Sequence, residues 1–414
     1  MFLHAFKSHF DHKVRTDNEW TRRVLLMAQL KDQPRLTSPA TATAVDIYCV
    51  HKDMHNLCVA PVTSILNSRV RDSHSRRQKY QITFWHAFLV FVRRFNATLV
   101  SNSLLGAEFN KTYPTNAARN NANYYFNYHT KLIAQQNALA DRGASSYRVA
   151  VNQFSDIRLI TFAARLPQAV YPAVSYNSTP VEVDTTVADE IDILTEYGLN
   201  VTAQDQGTLC SASWAFAAAK AIQILNAVPS DLTPLNYSAQ SLIDCAGMST
   251  ACTTQVPQIA FDYLTQETGT TLIPEEDYPE RNNSLQGMCV PTMAAGGIKL
   301  DTYSKITDGD DAAVMRYVSS SIPVIVEYNP ATFGFMHYSS GVYVPPVRAR
   351  ASSSQFLVVV GYGHDTESNL DYWLCINSFG DTWGEEGFIR IVRSSAQPIA
   401  KGAIFPNSIG VVTM

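Results

Sequence analysis

The sequence predicts an α+β protein in which a helical part precedes a strand-rich part. The segment 116–137 has apolar residues at helical spacing and contains neither Gly nor Pro. A second, Ala-rich segment covers 211–227 and is followed by the helix breaker Pro229. The last third of the chain instead contains short apolar runs bounded by Gly and Asn, at 324–328, 356–363, 372–376 and 387–392. Helices first and strands afterwards are typical of α+β proteins whose two kinds of element segregate.

Composition excludes several classes of function. The 414 residues include 32 Lys and Arg against 36 Asp and Glu, so the net charge is −4. This balance offers no electrostatic basis for binding nucleic acid or an anionic membrane. No apolar run reaches the roughly 18 residues that a membrane-spanning helix needs. The sequence also has no phosphate loop, dinucleotide fingerprint or metal-ligand spacing, so we expect no cofactor and no metal in this globular chain.

The cysteines indicate an oxidising compartment. There are seven, and four of them lie between residues 210 and 289. Dispersed pairs of this kind favour disulfides and passage through the secretory route, to an extracellular or lysosomal destination. Six Asn-x-Ser/Thr triplets are compatible with that route but add little, because such triplets arise often by chance. The given N-terminus, which begins Met1-Phe-Leu-His, does not have the pattern of a signal peptide.

Three ordered motifs carry a family resemblance. They are QGTLCSASWAF at Gln206–Phe216, QFLVVVGYG at Gln355–Gly363 and NSFGDTWGEEGF at Asn377–Phe388. Together they resemble the papain family of cysteine proteases, over most of residues 189–414. Upstream, Phe109–Tyr113 and Asn152–Asp156 resemble parts of that family's inhibitory propeptide. The resemblance implies a helical left lobe and a β-barrel-like right lobe with a cleft between them, preceded by a helical propeptide that lies along the cleft.

The same resemblance suggests how the chain is divided. Residues 1–80 would be an N-terminal extension of unknown structure, and residues 81–166 would form the propeptide-like inhibitor domain. Residues 167–186, which are rich in Pro, Ser and Thr, read as an extended linker. Residues 187–414 would then form the papain-like peptidase domain. We expect that domain to be a monomer.

The resemblance also assigns the catalytic positions, and two of them are substituted. In the family, a Cys thiolate at a helix N-terminus is paired with a His, an Asn orients the imidazole, and a Gln helps to hold the oxyanion. Here Ser213 stands at the nucleophile position and Gln355 at the position of the base. The orienting residue is retained as Asn377 and the oxyanion residue as Gln206.

The two substitutions together predict loss of catalysis. A serine attacks only when a base accepts its proton, and a Gln amide is neither a base nor a cation near neutral pH. The peptidase-like part contains only two histidines, His337 and His364. His364 lies nine residues beyond Gln355, roughly 30 Å along an extended strand, and the sequence does not place His337 relative to Ser213.

Further residues are assigned to the cleft and to disulfides by resemblance. The cleft set is Trp214, Thr254, Gln255, Phe379 and Trp383. Thr254 and Gln255 stand where the family has small residues, so their side chains are expected to intrude on the wall that an extended peptide pairs with. The bonds implied are Cys210–Cys252 and Cys245–Cys289, whereas Cys375 lies in an apolar run and is expected to be an inert buried thiol.

Three functions are consistent with these observations. The first is a papain-like pseudoprotease that binds a peptide or protein, or its own propeptide, in the cleft. The second is an active cysteine-type endopeptidase, which the retention of Gln206 and Asn377 would favour. The third is a structural or storage glycoprotein, which only the glycosylation triplets support. Tight binding of a peptide without cleavage would distinguish the first function from the third, and peptide hydrolysis that is abolished by Ser213→Ala would exclude the first.

Overall fold

A computed structural model describes most of the chain from residue 111 onward. The described residues are 109, 111–172, 186–228, 235–253, 255–266, 270–281, 285–290, 296–347, 351–394 and 396–411. The predicted extension at 1–80, the start of the predicted propeptide and most of the linker lie outside these residues.

The described N-terminal part, residues 111–172, is here called the pro-segment. It contains helix α1 (Asn116–Ala140), strand β1 (Tyr147–Val149) and helix α2 (Leu159–Ala164). The hydroxyl of Thr115 caps α1 by accepting a hydrogen bond from the Ala118 amide at 3.1 Å. One face of α1 is buried, at positions spaced by three and four residues: Ala122, Phe126, His129 and Ile133. The helix predicted over 116–137 is therefore present and ends three residues later.

A helical lobe follows. It consists of α3 (Ile193–Glu196), α4 (Ser213–Ala227), α5 (Ala239–Cys245) and α6 (Pro257–Leu264), with a 3₁₀ turn at Met248–Thr250. Helix α4 is central, because 13 of its residues are buried, including its polar Lys220 and Gln223. The lobe contains the disulfides Cys210–Cys252 and Cys245–Cys289, both of which the resemblance implied.

The remainder is a strand lobe built on one sheet. Its strands are β3 (Ile298–Lys305), β4 (Val324–Tyr328), β5 (Tyr338–Tyr343), β6 (Gln355–Asp365), β7 (Leu370–Ile376), β8 (Phe388–Val392) and β9 (Ile404–Val411). The order is β1-β5-β8-β7-β6-β4-β9-β3, and the short β2 (Ile191–Asp192) pairs with β6. Only the β5–β8 pair is parallel among the described strands.

Two features of this architecture position the site. Helix α4 lies against β6, so the start of the central helix meets the start of the longest strand. Strand β1 of the pro-segment pairs with β5, so the pro-segment extends the sheet of the strand lobe. The predicted α+β class is confirmed, although α7 (Asp311–Ser319), α8 (Phe333–Met336), β3 and β9 were not anticipated. No helix in the described part of the chain is long and apolar enough to cross a membrane.

Candidate functional site

Ser213 is the first residue of α4, where the resemblance places the nucleophile. The Cys210–Cys252 bond holds the turn that leads into the helix. The Ser213 Oγ accepts a hydrogen bond from the backbone amide of Phe356 at 3.2 Å, and the side chain is buried. The nucleophile position thus lies directly beside the first residues of β6.

Gln355, at the base position, is the first residue of β6 and is fully buried. Its Nε2 lies 3.1 Å from Gln206 Oε1, 2.7 Å from Asn377 Oδ1 and 3.0 Å from Ser378 Oγ. A side-chain amide has two N–H donors, so these three acceptors share them. The amide therefore joins the residues at the oxyanion and orienting positions.

Ser378 completes this network, and the sequence motifs did not single it out. Its hydroxyl donates to Gln206 Oε1 at 2.7 Å, and its backbone amide lies 2.8 Å from Asn377 Oδ1. The backbone amide of Gln206 in turn donates to the Ser378 carbonyl at 3.0 Å. The Oε1 of Gln355 and the Nδ2 of Asn377 are buried and lack a hydrogen-bond partner among the described residues.

The four predicted catalytic positions are thus brought together, but the groups they carry are neutral. The hydrogen-bonded group of Gln206, Gln355, Asn377 and Ser378 is here called the amide network, and Ser213 lies beside it through its bond to the Phe356 amide. Amide and hydroxyl groups of this kind neither accept a proton as a base nor supply a cation near neutral pH. The arrangement can hold two lobes together by hydrogen bonds, and it contains no general acid or base.

The two histidines of the peptidase-like part lie in other surroundings. His337 is fully buried, with its ring 4.9 Å from the ring of His129 and 4.7 Å from that of Phe333. Burial, reinforced by the neighbouring His129, lowers the pKa of His337 to about 3. His364 is on the exposed end of β6, where its Nδ1 lies 2.8 Å from Asp371 Oδ1.

The pro-segment covers the site from two sides. Gln153 Nε2 donates to the Phe379 carbonyl at 2.6 Å, and the Phe154 ring packs 4.9 Å from the Phe379 ring. Farther along, the amide of Ala169 donates to Ser354 Oγ at 2.9 Å. Because Ser354 directly precedes Gln355, the extended end of the pro-segment runs past the base position.

Three other predicted cleft residues each donate a side-chain hydrogen bond to a backbone carbonyl. The indole N–H of the buried Trp214 donates to the Ala251 carbonyl at 2.8 Å, and that of Trp383 donates to the Phe335 carbonyl at 3.2 Å. The amide of Gln255 donates to the Gly247 carbonyl at 3.1 Å, within the helical lobe. Thr254 lies outside the described residues.

Comparison with known proteins identifies the family. The model of the papain family of cysteine proteases matches residues 187–407. The chain belongs to the papain family. A cathepsin L-like proteinase of Fasciola hepatica is 29% identical over 269 residues, which are 64% of this chain and 79% of that protein. The cysteine proteinase COT44 of Brassica napus is 31% identical over 251 residues, 60% of this chain and 70% of the relative.

Solved structures of precursors support the same assignment. Digestive procathepsin L 3 from the larval midgut of Tenebrio molitor superposes with a TM-score of 0.63 at 25% identity, covering 75% of this chain and 98% of that one. This chain is therefore a papain-family cysteine-peptidase homologue with a propeptide and a two-lobed enzyme-like fold. Within the family motifs, the structure places Ser213 at the start of α4 and Gln355 at the start of β6.

Proposed function

We propose that this chain is a catalytically silent papain-family protein that binds a peptide segment in its cleft. The observation that carries the proposal is the bonding of Gln355. Its buried amide is engaged with Gln206, Asn377 and Ser378, at the position from which a base would act on residue 213. Without a base, the Ser213 hydroxyl remains protonated and its oxygen is a poor nucleophile.

The amide network also explains why Gln206 and Asn377 are retained without catalysis. The side-chain oxygen of each residue accepts a hydrogen bond from Gln355 Nε2, although both residues are distant from Gln355 in sequence. Each therefore has a structural role. This removes the main argument for an active peptidase, which rested on the retention of these two residues. Binding remains feasible because a cleft that holds the extended pro-segment has the shape and the hydrogen-bonding groups to hold another peptide.

The proposal extends to processing and location. A silent site cannot remove its own propeptide, so a mature form would require another protease. Two disulfides and the family itself favour the secretory route, with an extracellular or lysosomal destination. We further propose that the protein is a monomer whose ligands are peptides or proteins, with neither nucleic acid nor a metal as partner.

The test is peptide hydrolysis by the full chain and three variants. Mass spectrometry would record cleavage of a mixed peptide library, and self-cleavage, by the native chain, Ser213→Ala, Ser213→Cys, and Ser213→Cys with Gln355→His. We expect cleavage by the double variant alone, which would also prove that the pro-segment does not hide activity. Cleavage by the native chain that is lost in Ser213→Ala would overturn the proposal. Silence from all four would contradict the expected cleavage by the double variant.

A further inference from the structure

A second polar site lies beside the amide network, on the other side of Ser354. It is a cavity of about 380 Å³ between the end of the pro-segment and both lobes. Gln168, Ala169 and Tyr171 line it from the pro-segment, Pro257 and Gln258 from α6, and Glu327 from β4. The cavity therefore lies along the path of the extended peptide that covers the cleft.

Glu327 is a buried carboxylate on an otherwise apolar strand. Its side chain is 2% exposed, in the strand Val324–Tyr328. Such a charge is costly to bury unless donors surround it. Three donors do so: the Tyr171 hydroxyl at 2.9 Å, the Ser354 hydroxyl at 2.5 Å and the Lys401 ammonium at 2.9 Å. One of the three belongs to the pro-segment and leaves with it.

The surroundings of Tyr171 are shaped to admit a phenol. A side chain at Gly402 would place its Cβ 1.8 Å from the Tyr171 hydroxyl oxygen, so only a glycine leaves room for the ring at this point. Burial, reinforced by the Glu327 charge, raises the pKa of Tyr171. The hydroxyl therefore stays protonated and acts as the donor to the carboxylate.

The backbone next to Tyr171 is held by the same group of residues. Ser354 Oγ accepts the Ala169 amide at 2.9 Å while its hydroxyl donates to Glu327. One serine thus links the main chain of the bound segment to the carboxylate that bonds the tyrosine two residues later. The site recognises an extended backbone and a phenol together.

Shape and hydrogen bonding decide which side chain fits the site. Lys401, which is half exposed, pairs with Glu327, and Asp308 also lines the cavity beside Tyr171, so charge alone does not select between a neutral donor and a cation. A phenylalanine would fill the same space but would leave a buried carboxylate oxygen without its donor. A tyrosine satisfies both the shape and the hydrogen bond.

We propose that the pocket formed by Glu327, Ser354, Lys401 and Gly402 is a recognition site for a tyrosine side chain of an extended peptide, with Tyr171 as its occupant in the precursor. This inference rests on the proposed function, because it names the class of peptide that the silent cleft would bind. Any such ligand must displace Tyr171 or bind after the pro-segment has been removed.

The test uses the full chain with Tyr171→Ala, which vacates the pocket. Three probes, N-acetyl-tyrosinamide, N-acetyl-phenylalaninamide and N-acetyl-lysinamide, would be titrated and followed by ligand-observed NMR. We expect the tyrosine probe to bind at least tenfold more tightly than the other two, and at least tenfold more tightly than it binds the native chain. When Glu327→Gln is added to Tyr171→Ala, the preference for the tyrosine probe over the phenylalanine probe should fall to less than threefold. Tyr124→Ala, an exposed tyrosine on α1, is the matched control and should behave as the native chain.

Three results would overturn the inference: equal binding of the tyrosine and phenylalanine probes, tighter binding of the lysine probe, or no binding to a folded Tyr171→Ala chain. If that variant fails to fold, a double-mutant cycle replaces it. The cycle compares the rate at which a protease cleaves the linker in Tyr171→Phe, in Glu327→Gln and in the double variant. Faster cleavage in each single variant, with no further increase in the double variant, is expected for a coupled pair, and additive effects would contradict it. Failure of the proposed function would appear differently, as peptide hydrolysis that depends on Ser213.

Discussion

The amide network and the surface that holds the pro-segment differ in what they retain from an enzyme. The first brings together residues at the predicted catalytic positions, and neither Gln355 nor the neighbouring Ser213 supplies a base or a thiol. The second is built in full, with a strand pairing between β1 and β5, an aromatic cluster around Phe154 and the bond from Tyr171 to Glu327. Under the proposed function, this difference means that peptide binding is kept without bond-breaking chemistry, because the two depend on different residues.

The largest effect is expected where the pro-segment buries an aromatic ring. Phe154 is 3% exposed, and its ring lies 5.0 Å from that of Phe162 and 4.9 Å from that of Phe379. Phe154→Ala should lower the free energy of unfolding in urea by about 3–5 kcal/mol, since it removes apolar contacts and leaves a cavity. Tyr124→Ala, on an exposed face of α1, is the control and should change it little. A loss below about 1 kcal/mol for Phe154→Ala would mean that the pro-segment is held mainly elsewhere.

The next effect is a dependence on pH at the buried histidines. The pKa of His337 falls from the ordinary 6.5 to about 3 because the ring is buried, and burial also lowers the pKa of its neighbour His129. Between pH 6.5 and about 3, His337 is protonated in the unfolded chain but not in the folded chain. Stability therefore decreases as the pH falls below 6.5. From pH 6.5 to 4.5, His337 alone should cost about 2 kcal/mol. Urea unfolding of His337→Phe should show a correspondingly weaker dependence, and identical profiles would contradict the assignment.

A smaller effect is expected in the amide network. Gln355→Met removes the donor to Gln206 and Asn377, but Ser378 continues to donate to both acceptors. The loss of stability should therefore be about 1 kcal/mol, the usual net value of a hydrogen bond. Thermal unfolding would measure this loss, and Gln266→Met, at an exposed position, serves as the control. A loss above about 3 kcal/mol would show that Gln355 carries far more of the contact between the lobes.

The smallest effect belongs to an exposed ion pair within the pro-segment. Arg148 lies 2.7 Å from Asp141, but the two side chains are 47% and 65% exposed. Water and salt screen such a pair, so Arg148→Ala should change the unfolding free energy by less than about 0.5 kcal/mol. The loss should diminish further in high salt. A loss above 1 kcal/mol would mean that Arg148 has a packing role beyond its ion pair.

Most of what could be predicted about the site came from the order of the three sequence motifs. The family pattern located Gln206, Ser213, Gln355 and Asn377, and the structure brings all four together. It gave no reason to single out Ser378, because a serine beside the motif Asn carries no pattern of its own. Glu327 did have a signal, an acidic residue inside the apolar run VIVEY, which the strand prediction passed over.

Periodicity was informative about the fold where one face of an element is buried. Helix α1 and strand β7 have such faces, and their predicted bounds differ from the observed ones by three residues or fewer. Strand β4 is buried on both faces, and its predicted bounds agree with the observed ones because its apolar run is continuous apart from Glu327. Strand β9 includes Pro406 and polar Asn407 and Ser408, so its alternation is weak, and it is defined by pairing with β3. Its existence follows from that distant partner rather than from local propensity.

By itself, the sequence determined the α+β class, the central helix and several strands, and it predicted that the residues which make and break bonds are replaced. These depend on residue type and on spacing within one element. Only the tertiary structure decided which groups Gln355 bonds, where His337 lies, and that Tyr171 meets Glu327 across 156 positions. Hydrogen bonds require donor and acceptor to meet within about 3 Å at a suitable angle, and that geometry is set by the packing of whole elements.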